Sequence, residues 1–132
     1  MTTVKGTFEI TMQAEPPFEE VDGVTLSRAS FDKTFSGPLV ATSKVYMLAS
    51  RTPVENSAGY VAVERITGAL ESRSGSFVVL QRGVMTRGAR SLEITVVPDS
   101  GTGDLKGIAG KMDIEIVSGQ HHYQLDYTLE DA

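Results

Sequence analysis

The chain has 132 residues, 40% of them hydrophobic and 22% charged, with a formal net charge of -5 and no cysteine. That size and balance fit one domain over 1–132, with a core that needs no covalent staple. Disulfides, thiol nucleophiles and thiolate metal sites are excluded, and the lack of any basic stripe argues against nucleic acid or an anionic membrane as partner.

Met1 to Gly6 carries no apolar core of signal-peptide length, and no apolar run approaches the roughly 20 residues of a membrane helix. The expectation is a cytoplasmic protein. The first strand is predicted over 4–13, where Phe8, Ile10 and Met12 alternate with Thr7, Glu9, Thr11 and Gln13. Glu15-Pro16-Pro17 and Asp22-Gly23 are turn signals. The second strand, over 24–36, changes phase: Val24 and Leu26 share one side, while Ala29, Phe31 and Phe35 share the other. A bulge near Ser27–Arg28 would produce that slip and help a sheet to bend shut.

Three strands follow over 39–51, 59–70 and 76–86, and all are apolar in both phases. Leu39, Ala41, Val45 and Met47 oppose Val40, Tyr46 and Leu48; Tyr60, Ala62 and Ile66 oppose Val61, Val63 and Ala69. In the third, Phe77, Val79 and Met85 oppose Val78, Leu80 and Val84. Strands apolar on both sides are covered on both sides. The cover is either a partner subunit, which makes the protein a homo-oligomer, or a loop or the 14–23 segment folded over them.

The alternation is clean again over 89–97, 109–118 and 121–130. Tyr123, Leu125, Tyr127 and Leu129 there alternate with polar neighbours. No window of helical period has the length of an ordinary helix; Asp104-Leu105-Lys106 makes a single turn. Eight strands joined by short links predict a closed, eight-stranded, antiparallel up-and-down barrel in the all-β class. A barrel of that size is filled by its side chains or holds one small ligand. A short echo runs through Ser36-Gly37-Pro38-Leu39, Thr67-Gly68-Ala69-Leu70 and Thr102-Gly103-Asp104-Leu105, each returning a leucine to the core after a glycine.

The segment from Val96 to Gly110, with Gly101-Thr102-Gly103 at its centre, resembles the glycine-rich turn before a late strand in allene oxide cyclases and dirigent proteins. Over nearly its whole length the chain is more similar still to a bacterial family of uncharacterised proteins in the same barrel group. The residues that carry this are Leu26-Ser27-Arg28-Ala29-Ser30, Lys33-Thr34-Phe35-Ser36-Gly37, Glu64-Arg65-Ile66-Thr67-Gly68, Arg73-Ser74-Gly75-Ser76-Phe77, Leu80-Gln81 and Leu125-Asp126-Tyr127. The resemblance implies an allene-oxide-cyclase-like barrel and no established activity. No position matches the cyclases' catalytic motif, the single asparagine, Asn56, lies in a loop, and the dirigent pattern of acidic and arginine residues is missing.

Candidate chemistry is sparse. Glu64 lies inside the apolar run Tyr60–Ile66, where a carboxylate must be paired, exposed or protonated. Facing the lumen it could act as an acid or base; facing out it would pair with Lys44 or Arg82. Gln81 and Arg28 are similar polar groups among apolar neighbours. With Glu64 they are candidates for the convergent polar groups of a ligand pocket. Tyr60 and Tyr46 are amphipathic candidates for the same pocket, and Tyr123 and Tyr127 read as core. His121 and His122 are adjacent, so they face opposite sides of a strand and do not form a two-histidine metal face. They read as solvated turn residues; of the two, His122 is the candidate to touch a ligand at the barrel mouth. Phosphate-loop, Gly-x-Ser-x-Gly and His-Glu-x-x-His motifs are missing, and neither metal nor cofactor is expected. Three functions stay open: a barrel that binds a small hydrophobic or amphipathic molecule, an isomerase or cyclase acting through Glu64, and an interaction protein with a filled barrel.

Overall fold

Period-two alternation becomes extended backbone over most of the chain in the computed structural model, which describes residues 1–129. The strands are β1 (Thr2–Ala14), β2 (Glu19–Val21), β3 (Val24–Ser36), β4 (Leu39–Arg51), β5 (Ala58–Leu70), β6 (Arg73–Thr86), β7 (Ala89–Val96), β8 (Ile108–Val117) and β9 (Gln120–Leu129). A single 3-10 turn, Gly103–Leu105, lies between β7 and β8. Glu130, the last residue of the predicted final strand, and the domain's predicted end at 132 lie outside the described residues. No helix among the described residues is long and apolar enough to cross a membrane.

The sheet runs β1-β9-β8-β7-β6-β5-β4-β3-β2, and a further β1–β3 pairing shuts it into a barrel. Eight long strands form the wall, and every pairing is antiparallel. The extra strand, β2, was not legible in the sequence: its three residues, Glu19-Glu20-Val21, carry no alternation and are all exposed. The seams are unequal. β4 and β5 are in register from Leu39↔Leu70 to Arg51↔Ala58, whereas β7 and β8 share only Ile94↔Met112 and Thr95↔Lys111.

The bulge expected near Ser27–Arg28 is not formed. β3 stays in one register with β4 from Thr25↔Arg51 to Phe35↔Ala41. What changes there is its other neighbour: β3 pairs with β1 up to Ala29 and with β2 from Leu26. The phase slip in the sequence marks this exchange of partners, since the strand leaves the enclosed wall and joins a surface hairpin.

The end of the barrel at Leu39 and Leu70 is closed and dry. Those two leucines are cross-strand partners, and the 3-10 turn presses Leu105 in beside the same end. The three leucines of the sequence echo are thus all buried, at 1%, 0% and 1% exposure. Phe77, Ile108, Tyr123 and Leu125 fill the space around them. The Gly101-Thr102-Gly103 segment is what lets the turn lie so close. A Cβ on Gly101 would stand 2.0 Å from the Leu105 carbonyl oxygen, and one on Gly75 2.1 Å from that of Thr102. Tyr123 locks the neighbouring wall: its hydroxyl accepts from the Leu39 amide at 3.1 Å and donates to the Ser36 carbonyl at 3.0 Å.

The outer side of β4–β6 keeps the second apolar phase. Tyr46, Leu48, Val61, Val63 and Leu80 are 47–62% exposed and adjoin through the pairs Tyr46↔Val63, Leu48↔Val61 and Val63↔Leu80. Folding of the 14–23 segment over this face, one of the expected covers, does not occur. That segment turns back along β3 instead, and its Phe18 is itself 60% exposed.

Candidate functional site

The inward positions of β3–β7 form rows of cross-strand partners down the lumen. Nearest the open end, Arg51, Ala58, Met85 and Arg90 make one row. Below it come Ala49, Tyr60, Gly83 and Leu92, then Met47, Ala62, Gln81 and Ile94. Glu64 stands one row deeper, between Val45 and Val79.

Glu64 is fully buried and holds a polar cluster spanning four strands. Its Oε1 accepts from Lys33 Nζ at 3.2 Å and from Gln81 Nε2 at 2.7 Å, and its Oε2 accepts from Ser43 Oγ at 2.6 Å. The Tyr60 hydroxyl donates to Gln81 Oε1 at 3.2 Å and so ties the cluster to the space above. Lys33 is buried as well, with its Nζ 4.7 Å from the centre of the Phe8 ring, close enough for a cation–π contact. Among the described residues no buried side-chain nitrogen or oxygen lacks a partner. A satisfied cluster of this kind is a rigid layer, because loss of any donor leaves a costly buried acceptor.

Above this layer the lumen is open. A cavity of about 730 Å³ occupies the mouth, bounded by the upper ends of β1 and β3–β7 and by the 14–20 segment. Met12, Met47, Met85, Val84 and Leu92 give it an apolar wall, and Ala29, Ala49, Ala58 and Gly59 keep it wide. Tyr60 stands on its floor. The tyrosine ring lies across Gly83, where a Cβ would be 2.2 Å from the ring's Cε1. Burial pushes the Tyr60 phenol above its ordinary pKa, the Arg90 charge opposes that shift, and the Glu64 charge adds to it. Tyr60 is therefore a neutral hydrogen-bonding group at neutral pH.

The sequence candidates separate into two groups. Glu64, Gln81 and Tyr60 come together as one inward cluster. Glu64 faces in, so its partner is Lys33 of β3 and not Lys44 or Arg82 on the outside. Tyr46 is on the outer face, with the Lys44 ammonium 5.7 Å from its ring centre, and does not line the lumen. Arg28 lies in the exposed phase of β3 at the rim, where Nε and Nη2 hold Glu15 at 2.9 and 3.1 Å. It fastens the 14–20 segment and contributes only the edge of the cavity.

The histidines are half-buried and not solvated turn residues. His121 takes the inward phase and packs 5.1 Å from Phe8, whereas His122 lines a separate groove with Lys5, Asp113 and Glu115. Among the described residues no group of three or more His, Asp or Glu side chains is placed to hold a metal ion. Sequence reasoning missed Lys33 and Ser43 in the cluster and Arg51 and Arg90 at the mouth. Lys33 shares the phase of Ala29 and Phe35, and Ser43 that of Leu39 and Val45, so the signal was present in the alternation.

Comparison with known proteins agrees with this architecture. A family model described as "Protein of unknown function (DUF3224)" matches residues 4–127. A crystal structure from Shewanella oneidensis MR-1, of a DUF3224 protein with unknown function, is similar at 44% identity over 99% of each chain, with a TM-score of 0.94. No curated protein matches.

Proposed function

We propose, from the premise that this chain belongs to the DUF3224 family of proteins of unknown function, that its barrel is a cup for a small, largely apolar molecule. One observation carries the reading: the lumen is divided, packed dry at one end and hollow at the other, with a cavity of about 730 Å³ at the mouth. That volume falls within the range of small-molecule sites, and the wall has their usual character of many apolar groups and a few fixed polar ones. The methionines suit a ligand of irregular shape, since their side chains adapt to what they touch. The Glu64 layer is the base of the cup. It holds Tyr60 and Gln81 in place without spending their conformational freedom on binding.

The resemblance of the Val96–Gly110 segment to allene oxide cyclases is consistent with an apolar lumen that receives a ligand. Catalysis through Glu64 draws no support from the geometry. The carboxylate lies beneath Gln81 and Tyr60, and both its oxygens are already engaged. The test is direct. The neutral fluorophore N-phenyl-1-naphthylamine brightens on wild-type protein at micromolar concentration, and Ala49→Trp, which fills the mouth, abolishes the signal. No fluorescence change with wild type overturns the cup.

A second reading concerns the outside of the barrel, and the exposed Tyr46–Leu80 patch favours it. Contiguous apolar surface on a soluble protein marks an interaction site, and a second copy of this chain is the partner we propose. Sedimentation equilibrium gives a dimer or larger for wild type, and Val63→Glu shifts it to monomer. A wild-type monomer removes this reading and leaves the cup intact.

A further inference from the structure

We infer that the molecule taken by the cup is an organic anion, with its apolar body on the methionine wall and its charged group between Arg51 and Arg90 at the rim. The inference rests on the cup reading and adds the chemical class of the ligand. Its basis is the rim row. Arg51, Ala58, Met85 and Arg90 are successive cross-strand partners on β4, β5, β6 and β7. Four strands at ~4.8 Å spacing set the two arginine backbones ~14 Å apart along the wall. Both arginines take the inward phase of that row, on either side of the small Ala58 and the apolar Met85.

Both arginines line the cavity, and neither has a carboxylate partner within ion-pair distance among the described residues. The third arginine of the rim, Arg28, is held by Glu15. Glu20 is the remaining charge of the lining, so two unpaired guanidinium groups face one carboxylate. Guanidinium is the side chain best suited to a planar carboxylate or sulfonate, which it binds through two parallel hydrogen bonds. The Arg90 charge opposes the upward shift of the Tyr60 phenol on the floor, in keeping with a side chain close to the cavity. An apolar molecule with one anionic group meets all of these features at once, whereas a neutral one leaves both guanidinium groups unused.

Two probes of nearly the same shape separate the charge from the cup. 8-Anilinonaphthalene-1-sulfonate carries a sulfonate, and N-phenyl-1-naphthylamine has the same ring system without it. In low salt the wild-type protein binds the sulfonate at least about tenfold more tightly, as one charge-assisted contact requires. The preference shrinks as salt is added, and in Arg51→Gln/Arg90→Gln the affinity ratio falls to about one. Equal binding of the two probes by wild type, or a preference that survives the double substitution, overturns the anion and leaves the cup. Failure of both probes to bind overturns the cup and the anion together. A sulfonate signal that persists in Ala49→Trp comes from outside the lumen and also overturns the assignment.

Discussion

Lys33→Met lowers the stability of the fold by about 3–5 kcal/mol, one of the largest effects expected of any single substitution here. The lysine is buried, and its ammonium is the only cation within ion-pair distance of Glu64 among the described residues. Methionine keeps the length and the apolar stem, so packing on Phe8 changes little. What remains is a carboxylate in the interior with two neutral donors, Ser43 and Gln81, and no counter-charge. Lys33→Met/Glu64→Gln regains most of the loss. The amide still accepts from Gln81 with its oxygen, and its nitrogen donates to Ser43, whose hydroxyl can turn. Urea-unfolding midpoints of the three proteins check this. A loss under about 1 kcal/mol in the single variant would show that the pair is solvated and not part of a dry layer.

Leu105→Ala costs about 2–5 kcal/mol, the range for a buried leucine whose neighbours cannot close the gap. Leu105 is 1% exposed and carried by a three-residue turn. The turn is held to the wall by bonds that the substitution leaves intact: the Thr102 amide donates to the Ser76 carbonyl at 2.8 Å, and the Ser76 amide donates to the Thr102 hydroxyl at 3.0 Å. The backbone therefore cannot sink to fill the space, and the cost falls toward the upper part of the range. Thermal unfolding followed by far-ultraviolet circular dichroism measures it. A change in melting temperature no larger than that of an exposed leucine, such as Leu48→Ala, would mean that the turn is not a stopper.

The barrel was legible in the sequence because its strands are long and most have one plainly polar side. Closure, the eight strands of the wall and their up-and-down order followed from alternation and short links. The site was legible only in part, for two physical reasons. β4–β6 are apolar on both sides, so alternation alone gives no sense of inside and outside: Tyr60 and Tyr46 look alike in sequence and end on opposite sides of the wall. The second reason is distance along the chain. Glu64 is joined to Lys33 across 31 residues and to Gln81 across 17, so the pairing exists only once four strands share a register. Lys33, between Asp32 and Thr34, reads locally as a solvated charge. Only its phase with Ala29 and Phe35 places it inside. The phase slip in β3 was the reverse case, a true local irregularity read as a bulge, whose cause, the exchange of β1 for β2, is not local.

The two register pairs between β7 and β8 make the barrel a bracelet with a clasp. Every other seam must break many backbone bonds to part, and this one very few, so local opening begins there at the least cost in free energy. Arg90 and Leu92 of the mouth lie on β7 beyond those two pairs and are held through β6. The same opening bares two strand edges, and Glu93, Lys111, Asp113 and Glu115 place charges along them, which discourages a foreign strand from adding to either.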